Sequence, residues 1–370
     1  MRQHLLTLVR GLLARGVTVE VAGPASEPLL LELSALSCPI WDIPLSAALR
    51  PGEDLAAGLR LIRLLRSRAF DLVHVHGFKA SLPGRVAAAL TGTPVIYTVH
   101  NFVCESGGGL RRRVYLWLER LLSPATHRYV AVSAALRQNL VAAAGLPAER
   151  VTVVYSGVPA HPRTPEATKD ALRRELRLAG EERLLLCVAR LVPEKGVDVL
   201  LQAAALLGST ADLPAWRLVV AGDGPEEAAL VALRTQLKLD DRVVLLGHRT
   251  DVAALLDLAA VVAVPSRAEG LSLFLLETLA AGRPVVASAA GGMTELVRDG
   301  ENGLLVPPGE PEALAAALRR LLTDADLAAR LSAGARARSA GFTVEEMLDQ
   351  TLALYGECAR RSGRRRGVAR

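Results

Sequence analysis

Short runs rich in valine and leucine alternate with helix-periodic segments along most of this 370-residue chain. Glycine, proline or aspartate bounds most of the runs, which is typical of strands buried in a parallel sheet. Strands are predicted at residues 17–22, 72–76, 95–99, 129–132, 151–155, 184–188, 217–221, 243–246, 261–264, 285–287 and 304–306. Helical spacing fills the intervals, as at residues 54–67 and 197–207. The alternation predicts an α/β fold with doubly wound, Rossmann-like sheets.

The length and one polar segment predict two domains. A chain of this length accommodates two domains of ordinary size. Residues 161–169 are polar, contain prolines and interrupt the alternation, so they predict a linker. We therefore expect an N-terminal domain at residues 1–165 and a C-terminal domain at 166–342. The last helical pattern, residues 343–361, has no strand after it and is compatible with packing on either domain.

The basic charge of the chain is concentrated at its C-terminus. The formal net charge is +6, and five arginines lie among the last ten residues, which leaves 6 − 5 = +1 for the rest. A nearly neutral body argues against a nucleic-acid binder. Residues 362–370 are expected to be a disordered basic tail, either simply solvated or weakly attracted to an anionic membrane.

Apolar runs, cysteine spacing and the N-terminal pattern indicate the cellular compartment of the protein. No apolar run reaches the 18 residues of a membrane-spanning helix. The cysteines (Cys38, Cys104, Cys187 and Cys358) are scattered without metal-ligand spacing, which indicates reduced thiols. The N-terminus has the pattern of an amphipathic helix and not of a signal peptide. We expect a cytoplasmic protein, with the inner face of the plasma membrane as a further option.

The N-terminal pattern departs from that of a complete doubly wound domain. Such a domain normally opens with a strand and a glycine-rich turn, whereas this chain opens with helical spacing at residues 5–13. Two hypotheses follow: Met1 is not the native start, or the domain lacks part of its site. Both predict an N-terminal domain without a central strand and with a partly open core.

Two cations follow the first strand of the C-terminal domain. Arg190 and Lys195 lie between the strand at 184–188 and the next helix. The carboxyl ends of strands are where open α/β sheets bind ligands, and two cations beside a helix N-terminus suit a diphosphate. The alternative is an ordinary solvated basic loop.

Two glutamates mark the helix that follows residues 261–264. Glu269 precedes this apolar helix, and Glu277 lies two turns inside it, where a buried carboxylate needs a partner. Glu269 could hold sugar hydroxyls and Glu277 a ribose diol. Alternatively, Glu269 is a negative charge that interacts favourably with the positive end of the helix dipole, and Glu277 lies on an exposed face of the helix.

Backbone amides and tight turns accompany these side chains. Gly270, Leu271 and Ser272 would present amides at the helix start, which is an anion site. Further glycine turns and a helix start follow other strands of the same domain, at Gly222, Gly247, Gly291, Gly292 and Glu295. Their convergence on one sheet edge predicts a ligand site there.

A family resemblance rests on motifs spread over residues 183–308. They are Ala-Arg-Leu-Val-Pro-Glu-Lys-Gly from Ala189, Ala-Gly-Asp-Gly-Pro from Ala221, Glu269-Gly with Glu277, Ala-Gly-Arg-Pro-Val-Val-Ala from Ala281, Gly-Gly-Met-Thr-Glu from Gly291 and Asp-Gly-Glu-Asn-Gly-Leu-Leu-Val from Asp299. In this order they resemble the donor domain of retaining glycosyltransferases of the GT-B fold, family 4 type. The N-terminal half resembles the family more loosely, through residues 71–77 and 98–101.

The resemblance implies roles for the residues already singled out. Arg190 and Lys195 would bind the donor diphosphate, Glu269 the donor sugar and Glu277 the ribose. The remaining donor-site residues would be Gly222, Gly247, Gly270, Leu271, Ser272, Gly291, Gly292 and, behind them, Glu295. His100 matches the histidine that lies near the anomeric carbon in such enzymes. The last helix would cross back to the N-terminal domain.

The resemblance also implies the activity. The protein would move a sugar from a UDP-, GDP- or ADP-type donor to an acceptor hydroxyl with retention and without a metal or other cofactor. The acceptor would be a glycan, a lipid-linked sugar or a small molecule, in cell-envelope polysaccharide synthesis. The alternatives are another GT-B sugar-nucleotide enzyme, such as an epimerase, and a non-catalytic nucleotide-sugar binding protein.

Two further features of the N-terminal half have open interpretations. We interpret His74 and His76 as pointing to opposite faces of their strand, so that only His76 faces the ligand site. Residues 110–122 form an amphipathic pattern beside three arginines, after the flexible stretch 106–109. Its apolar face either packs on the core or docks on an anionic bilayer and admits a lipid-linked acceptor.

Overall fold

The computed structural model describes residues 2–24, 28–45, 50–101, 109–208 and 213–361. The chain divides into two compact units. Unit 1 comprises Met1–Gly157 together with the segment from Val344 onwards, and unit 2 comprises Val158–Thr343. The predictions for Cys104, residues 106–108 and the tail 362–370 lie outside the described residues.

Unit 1 opens with a helix and contains two separate parallel sheets. Its elements are α1 (Arg2–Ala14), β1 (Val21–Gly23), α2 (Pro28–Ser34), β2 (Ile40–Asp42), α3 (Pro51–Ser67), β3 (Val73–His76), α4 (Phe78–Thr91), β4 (Val95–Val99), α5 (Leu110–Leu122), β5 (Arg128–Ala131), α6 (Ala134–Ala142) and β6 (Val151–Val153). Strands β1 and β2 pair with each other, and the other sheet has the order β3-β4-β5-β6. In the described part of unit 1, no strand joins these two sheets.

Unit 2 contains one six-stranded parallel sheet. Its elements are α7 (Glu166–Glu175), β7 (Arg183–Val188), α8 (Val197–Gly208), β8 (Trp216–Ala221), α9 (Glu227–Gln236), β9 (Val243–Leu245), α10 (Val252–Leu258), β10 (Ala259–Val264), α11 (Leu273–Ala280), β11 (Val285–Ser288), α12 (Met293–Leu296), β12 (Leu304–Val306), α13 (Pro311–Thr323) and α14 (Ala325–Ser339). The strand order is β12-β11-β10-β7-β8-β9. The chain therefore builds outward from β7 to β9, returns, and builds the other half from β10. The order reverses between β7 and β10, where doubly wound sheets bind their ligands.

The final helix, α15 (Val344–Arg361), belongs to unit 1. Its Met347 and Leu348 lie in one buried cluster with Leu8 and Leu12 of α1. A Cβ added at Gly11 would overlap the Leu348 side chain, so the two helices approach closely because α1 carries a glycine there.

Short or irregular elements are where the sequence prediction and the structure differ. Strand β2 was not predicted because three residues, two half-buried and one exposed, carry almost no periodic signal. Strand β1 begins at Val21 instead of residue 17, since Val17 and Val19 pack onto the hydrophobic clusters and do not pair.

The segment expected to be a linker is fixed to unit 2. His161 Nε2 lies 2.9 Å from Asp257 Oδ1, and the Thr164 amide donates to Asp257 Oδ2 at 2.9 Å. The units divide after Gly157, ahead of the boundary placed at residue 165, because Asp257 holds this segment. No helix in the described ranges is long and apolar enough to cross a bilayer.

Candidate functional site

Loops at the carboxyl ends of β7, β8, β10 and β11 meet at one edge of the unit 2 sheet. The Leu191 amide, after β7, donates to the Asp223 carbonyl after β8 at 2.7 Å. The Gly222 amide donates to the Gly247 carbonyl, after β9, at 2.7 Å. The convergence expected from the sequence is thus formed by direct main-chain contacts.

Two glycines let the loops nearest the switch point touch. Gly196 has φ +64°, and a Cβ there would overlap the Pro265 carbonyl after β10. Gly291 has φ +49°, and a Cβ there would overlap the Glu269 carbonyl. A residue with a side chain rarely adopts either φ value, and its Cβ would also overlap a carbonyl. Both positions therefore require glycine. The Gly292 amide also donates to the Glu269 carbonyl, at 3.2 Å.

Lys195 and Glu269 form an ion pair across the switch point. The Lys195 ammonium donates to Glu269 Oε2, which joins the loop after β7 to the loop after β10. The Glu269 side chain is only 9% exposed, whereas that of Lys195 is 27% exposed. Because the Lys195 ammonium is more accessible than the nearly buried Glu269 carboxylate, it can exchange this partner for an anionic ligand.

Arg267 holds the Lys195 loop in place, and sequence reasoning missed it. Its amide donates to the Glu194 carbonyl at 2.7 Å, and its guanidinium donates to the Pro193 carbonyl at 2.8 Å. The guanidinium also donates to both Asp198 carboxylate oxygens, at 2.7 and 2.6 Å. Arg267 and Asp198 are 69 positions apart, so no local pattern could reveal the pair.

The other cation, Arg190, lies in the same loop but remains separate. Its side chain is exposed, and its guanidinium makes no hydrogen bond or ion pair with any residue that the structure describes. The structure therefore brings Lys195 and Glu269 together and leaves Arg190 facing solvent.

The start of α11 lies beside Glu269. Ser272 caps the helix, since its hydroxyl accepts from the Leu275 amide at 3.3 Å. The hydroxyl is therefore occupied, and Ser272 can contribute to an anion site only through its amide. Gly270 and Leu271 are buried immediately before it. The positive end of the helix dipole points to this part of the loop.

Glu277 is a largely buried carboxylate on α11. Burial raises the pKa of Glu277 from its ordinary 4.5 to about 7. The carboxylate makes no hydrogen bond or ion pair with the described residues that would offset the free-energy cost of burying its charge. Glu277 does not lie on an exposed face, because its side chain is itself half-buried. Glu295 lies on α12, where its carbonyl accepts from Arg338 at 2.6 Å.

Unit 1 gathers histidines at the carboxyl ends of its strands. His100 follows β4, and its Nε2 lies 3.3 Å from Nδ1 of His76 at the end of β3. His4 of α1 joins them with its ring centroid 4.9 Å from that of His100. Burial holds the pKa of His76 and of His100 well below the ordinary value, and it lowers that of His4 to about 4. Sequence reasoning missed His4.

The interpretation of His74 and His76 as pointing to opposite faces is wrong. Their ring centroids are 4.1 Å apart, because residues two positions apart on a strand share a face. His74 is packed as expected: Nδ1 lies 2.7 Å from the Tyr355 hydroxyl, and Nε2 lies 2.7 Å from Thr98 Oγ1.

Helix α5 presents its apolar stripe outward. Leu110 is 74% exposed and Trp117 59%, and Val114 and Leu121 are exposed as well. The buried face consists instead of Tyr115 and Glu119. The core-facing alternative is therefore wrong for these four side chains, whereas Leu118 of the same pattern is half-buried.

Two family models match this chain, one in each half. The model described as "Glycosyltransferase Family 4" matches residues 1–161, and that described as "Glycosyl transferases group 1" matches residues 168–338. A D-inositol 3-phosphate glycosyltransferase of Thermobispora bispora is 31% identical over 366 residues, covering 95% of this chain and 81% of the relative. The chain belongs to glycosyltransferase family 4.

Further relatives agree with this assignment. A UDP-Gal:alpha-D-GlcNAc-diphosphoundecaprenol alpha-1,3-galactosyltransferase of Escherichia coli is 29% identical, covering 82% of this chain and 79% of the relative. The solved structure of Anabaena HepE with UDP-glucose superposes with a TM-score of 0.83 at 24% identity, covering 96% of this chain and 95% of that one. The GT-B fold is thereby confirmed.

Family 4 membership settles the reaction class. Like these relatives, the protein is a glycosyltransferase, and it uses a nucleotide-sugar donor. Neither the epimerase nor the non-catalytic alternative finds support among these relatives, which are named as transferases.

Proposed function

We propose that this family 4 glycosyltransferase transfers a hexose from a UDP-sugar to a lipid-linked or glycan acceptor, in the synthesis of a cell-envelope polysaccharide. The observation that carries the proposal is the Lys195–Glu269 pair at the switch point of unit 2. The galactosyltransferase of Escherichia coli, whose name specifies a UDP-sugar and a diphosphoundecaprenol acceptor, supports both substrate classes.

Donor binding would exchange the partners of the ion pair. Lys195 and the exposed Arg190 would pair with the diphosphate, together with the main-chain amides before α11. Glu269, relieved of Lys195, would accept hydrogen bonds from sugar hydroxyls. Glu277, which has no partner among the described residues, would accept from the ribose diol, so that the cost of its burial is offset only when the nucleotide is bound.

The same cations would stabilise the leaving group. The bond between the anomeric carbon and the phosphate oxygen breaks while a bond to the acceptor oxygen forms on the same face of the sugar. The acceptor's proton passes to the departing phosphate oxygen, so the nucleoside diphosphate leaves and configuration is retained. Negative charge grows on the diphosphate in this step, and the preorganised Lys195 ammonium and the helix amides stabilise it without a metal.

The role proposed for His100 rests on the family resemblance. Burial keeps the imidazole neutral at physiological pH, because its pKa lies well below the ordinary value. A neutral imidazole suits a hydrogen-bonding group beside the sugar better than a charged acid, which would repel the developing oxocarbenium-like centre.

A UDP-release assay with a panel of UDP-hexoses and an acceptor extract tests the donor assignment. Lys195→Ala and Glu269→Gln should each lower UDP release by at least tenfold, since each removes a charge-assisted contact. Lys169→Ala is the matched control, because Lys169 pairs with Glu166 on the outer helix α7 and should leave release unchanged. Lys195→Ala with wild-type turnover would contradict the proposal.

Contact with an anionic membrane is part of the same proposal. The exposed stripe of Leu110, Val114, Trp117 and Leu121 lies beside the exposed Arg112 and Arg113. Apolar side chains flanked by arginines match the boundary between acyl chains and anionic headgroups. A lipid-linked acceptor would then be met at the surface in which it is embedded.

Co-sedimentation with vesicles tests the membrane contact. The wild type should bind vesicles that contain phosphatidylglycerol and not vesicles of pure phosphatidylcholine. The double variant Trp117→Ala/Leu121→Ala should lose most of this binding and keep its melting temperature. Val231→Ala removes an exposed apolar side chain of α9 in unit 2 and should bind as the wild type does. Equal sedimentation of all three proteins would rule out docking through α5.

A further inference from the structure

Three imidazoles of unit 1 converge from separate elements. They belong to His4 in the first turn of α1, His76 at the end of β3 and His100 after β4. One ring nitrogen from each lies within 4.8 Å of the other two. We propose that His4, His76 and His100 form a binding site for a divalent transition metal of the zinc class.

The spacing of the nitrogens suits a tetrahedral metal. Zinc binds imidazole nitrogen at about 2.0–2.1 Å, which places two such nitrogens about 3.3 Å apart in tetrahedral geometry. Nδ1 of His76 and Nε2 of His100 are 3.3 Å apart, so this pair already has the separation of two ligands. The nitrogen of His4 lies no farther than 4.8 Å from the other two. A side-chain movement of about 1.5 Å at most would therefore bring it to the tetrahedral spacing of about 3.3 Å.

The neighbours of the cluster orient the rings as a metal site requires. Nδ1 of His4 lies 3.0 Å from the Ser156 hydroxyl, which leaves Nε2 as the ligand atom. An outer hydrogen bond of this kind fixes the tautomer of a metal-binding histidine. His74 packs against His76 but has both ring nitrogens engaged by Tyr355 and Thr98, so it supports the site without entering it.

The chemistry of the donor set selects the metal. The group within reach consists of histidines alone, with no carboxylate among the described members. Neutral imidazoles suit Zn²⁺, Co²⁺, Ni²⁺ and Cu²⁺, whereas Mg²⁺ and Ca²⁺ take oxygen ligands. Three protein ligands leave a fourth position for water or a substrate atom.

Metal binding would also affect transfer, and this part rests on the proposed function. His100 cannot serve the anomeric centre while its nitrogen binds a metal, so Zn²⁺ should inhibit UDP release. Binding itself is measured without donor or acceptor, so failure of the metal site and failure of the donor assignment are separate outcomes.

Titration of the metal-stripped full-length protein tests the site. Calorimetry with Zn²⁺ should give one saturable site per chain, and Co²⁺ should give the intense visible bands of a tetrahedral complex. His4→Gln and His76→Gln should each weaken Zn²⁺ binding by at least tenfold. His127→Gln is the matched control, because His127 is exposed at the amino end of β5 and should leave binding unchanged.

The melting curve of each variant without metal shows whether it folds. If a variant does not fold, the Co²⁺ spectrum of the wild type decides. Tetrahedral bands without a thiolate charge-transfer band support histidine ligation. A thiolate band would place the metal on a cysteine and overturn the proposal, as would the absence of saturable binding or unchanged binding by both folded variants.

Discussion

Replacing Glu277 by glutamine should stabilise the protein while weakening its hold on the donor. Burial raises the pKa of this carboxyl from 4.5 to about 7, so ionising it costs the folded state more than the unfolded chain. Each pH unit between these two values corresponds to about 1.4 kcal/mol, which gives a cost of about 3.5 kcal/mol at most. The cost is absent below pH 4.5, grows between pH 4.5 and 7, and is complete above pH 7.

Glu277→Gln removes that cost and keeps the shape of the side chain. We expect the variant and the wild type to unfold alike near pH 4.5, and the variant to be more stable by up to about 3.5 kcal/mol at pH 8. For a unit of this size the difference corresponds to a rise in melting temperature of roughly 6 °C or more. Glu312→Gln, an exposed carboxyl in the first turn of α13, should show no such pH-dependent gain.

Donor binding should move in the opposite direction. A hydrogen bond to a charged group contributes about 1.5–3 kcal/mol, so Glu277→Gln should weaken UDP-sugar binding by roughly 10- to 100-fold at pH 8. Wild-type affinity should fall about tenfold between pH 8 and pH 6, because the carboxyl must lose its proton to accept from the ribose diol. Calorimetric titration and thermal melts across this pH range measure both effects. A variant that is less stable than the wild type at pH 8 would refute the account of Glu277 as a buried charge without a partner.

Two further predictions concern packing. Arg85 and Glu119 form a fully buried ion pair with hydrogen bonds of 2.8 and 3.0 Å, so Glu119→Gln should cost about 3–5 kcal/mol in urea unfolding, and Arg85→Met/Glu119→Leu should recover most of it. If the single and double variants were equally unstable, the pairing would not be the cause. Gly291→Ala should lower both the melting temperature and UDP release, because its Cβ overlaps the Glu269 carbonyl. Gly309→Ala, with φ +81° and open space around it, isolates the backbone cost of about 1–2 kcal/mol and should keep full turnover.

The donor half of the site could be predicted because parallel strands impose it. Once the runs around 184–188 and 261–264 are identified as neighbouring strands, the residues that follow them must meet at one edge, which is where Lys195 and Glu269 lie. The sequence pattern could not show whether the Glu277 side chain is buried or exposed. An acidic residue among apolar ones is compatible with an exposed or a buried position, and only the packing around α11 distinguishes them.

Contacts between distant segments lay beyond the sequence for a physical reason. Arg267 finds Asp198, and His4 finds His76 and His100, through tertiary packing that leaves no periodic or spacing signal. The amphipathic pattern of α5 was visible, but amphipathicity does not specify which side meets the unit. The buried Arg85–Glu119 pair orients α5 with its apolar stripe outward, against the ordinary expectation for such a helix.

Calorimetric titration of UDP into the full-length protein tests the central claim, a nucleotide-sugar site at the switch point of unit 2, most directly. The account predicts one UDP per chain, with affinity at least tenfold weaker in Lys195→Ala and unchanged in Lys169→Ala. If UDP bound equally well to all three proteins, or to none of them, the donor diphosphate would not lie against Lys195.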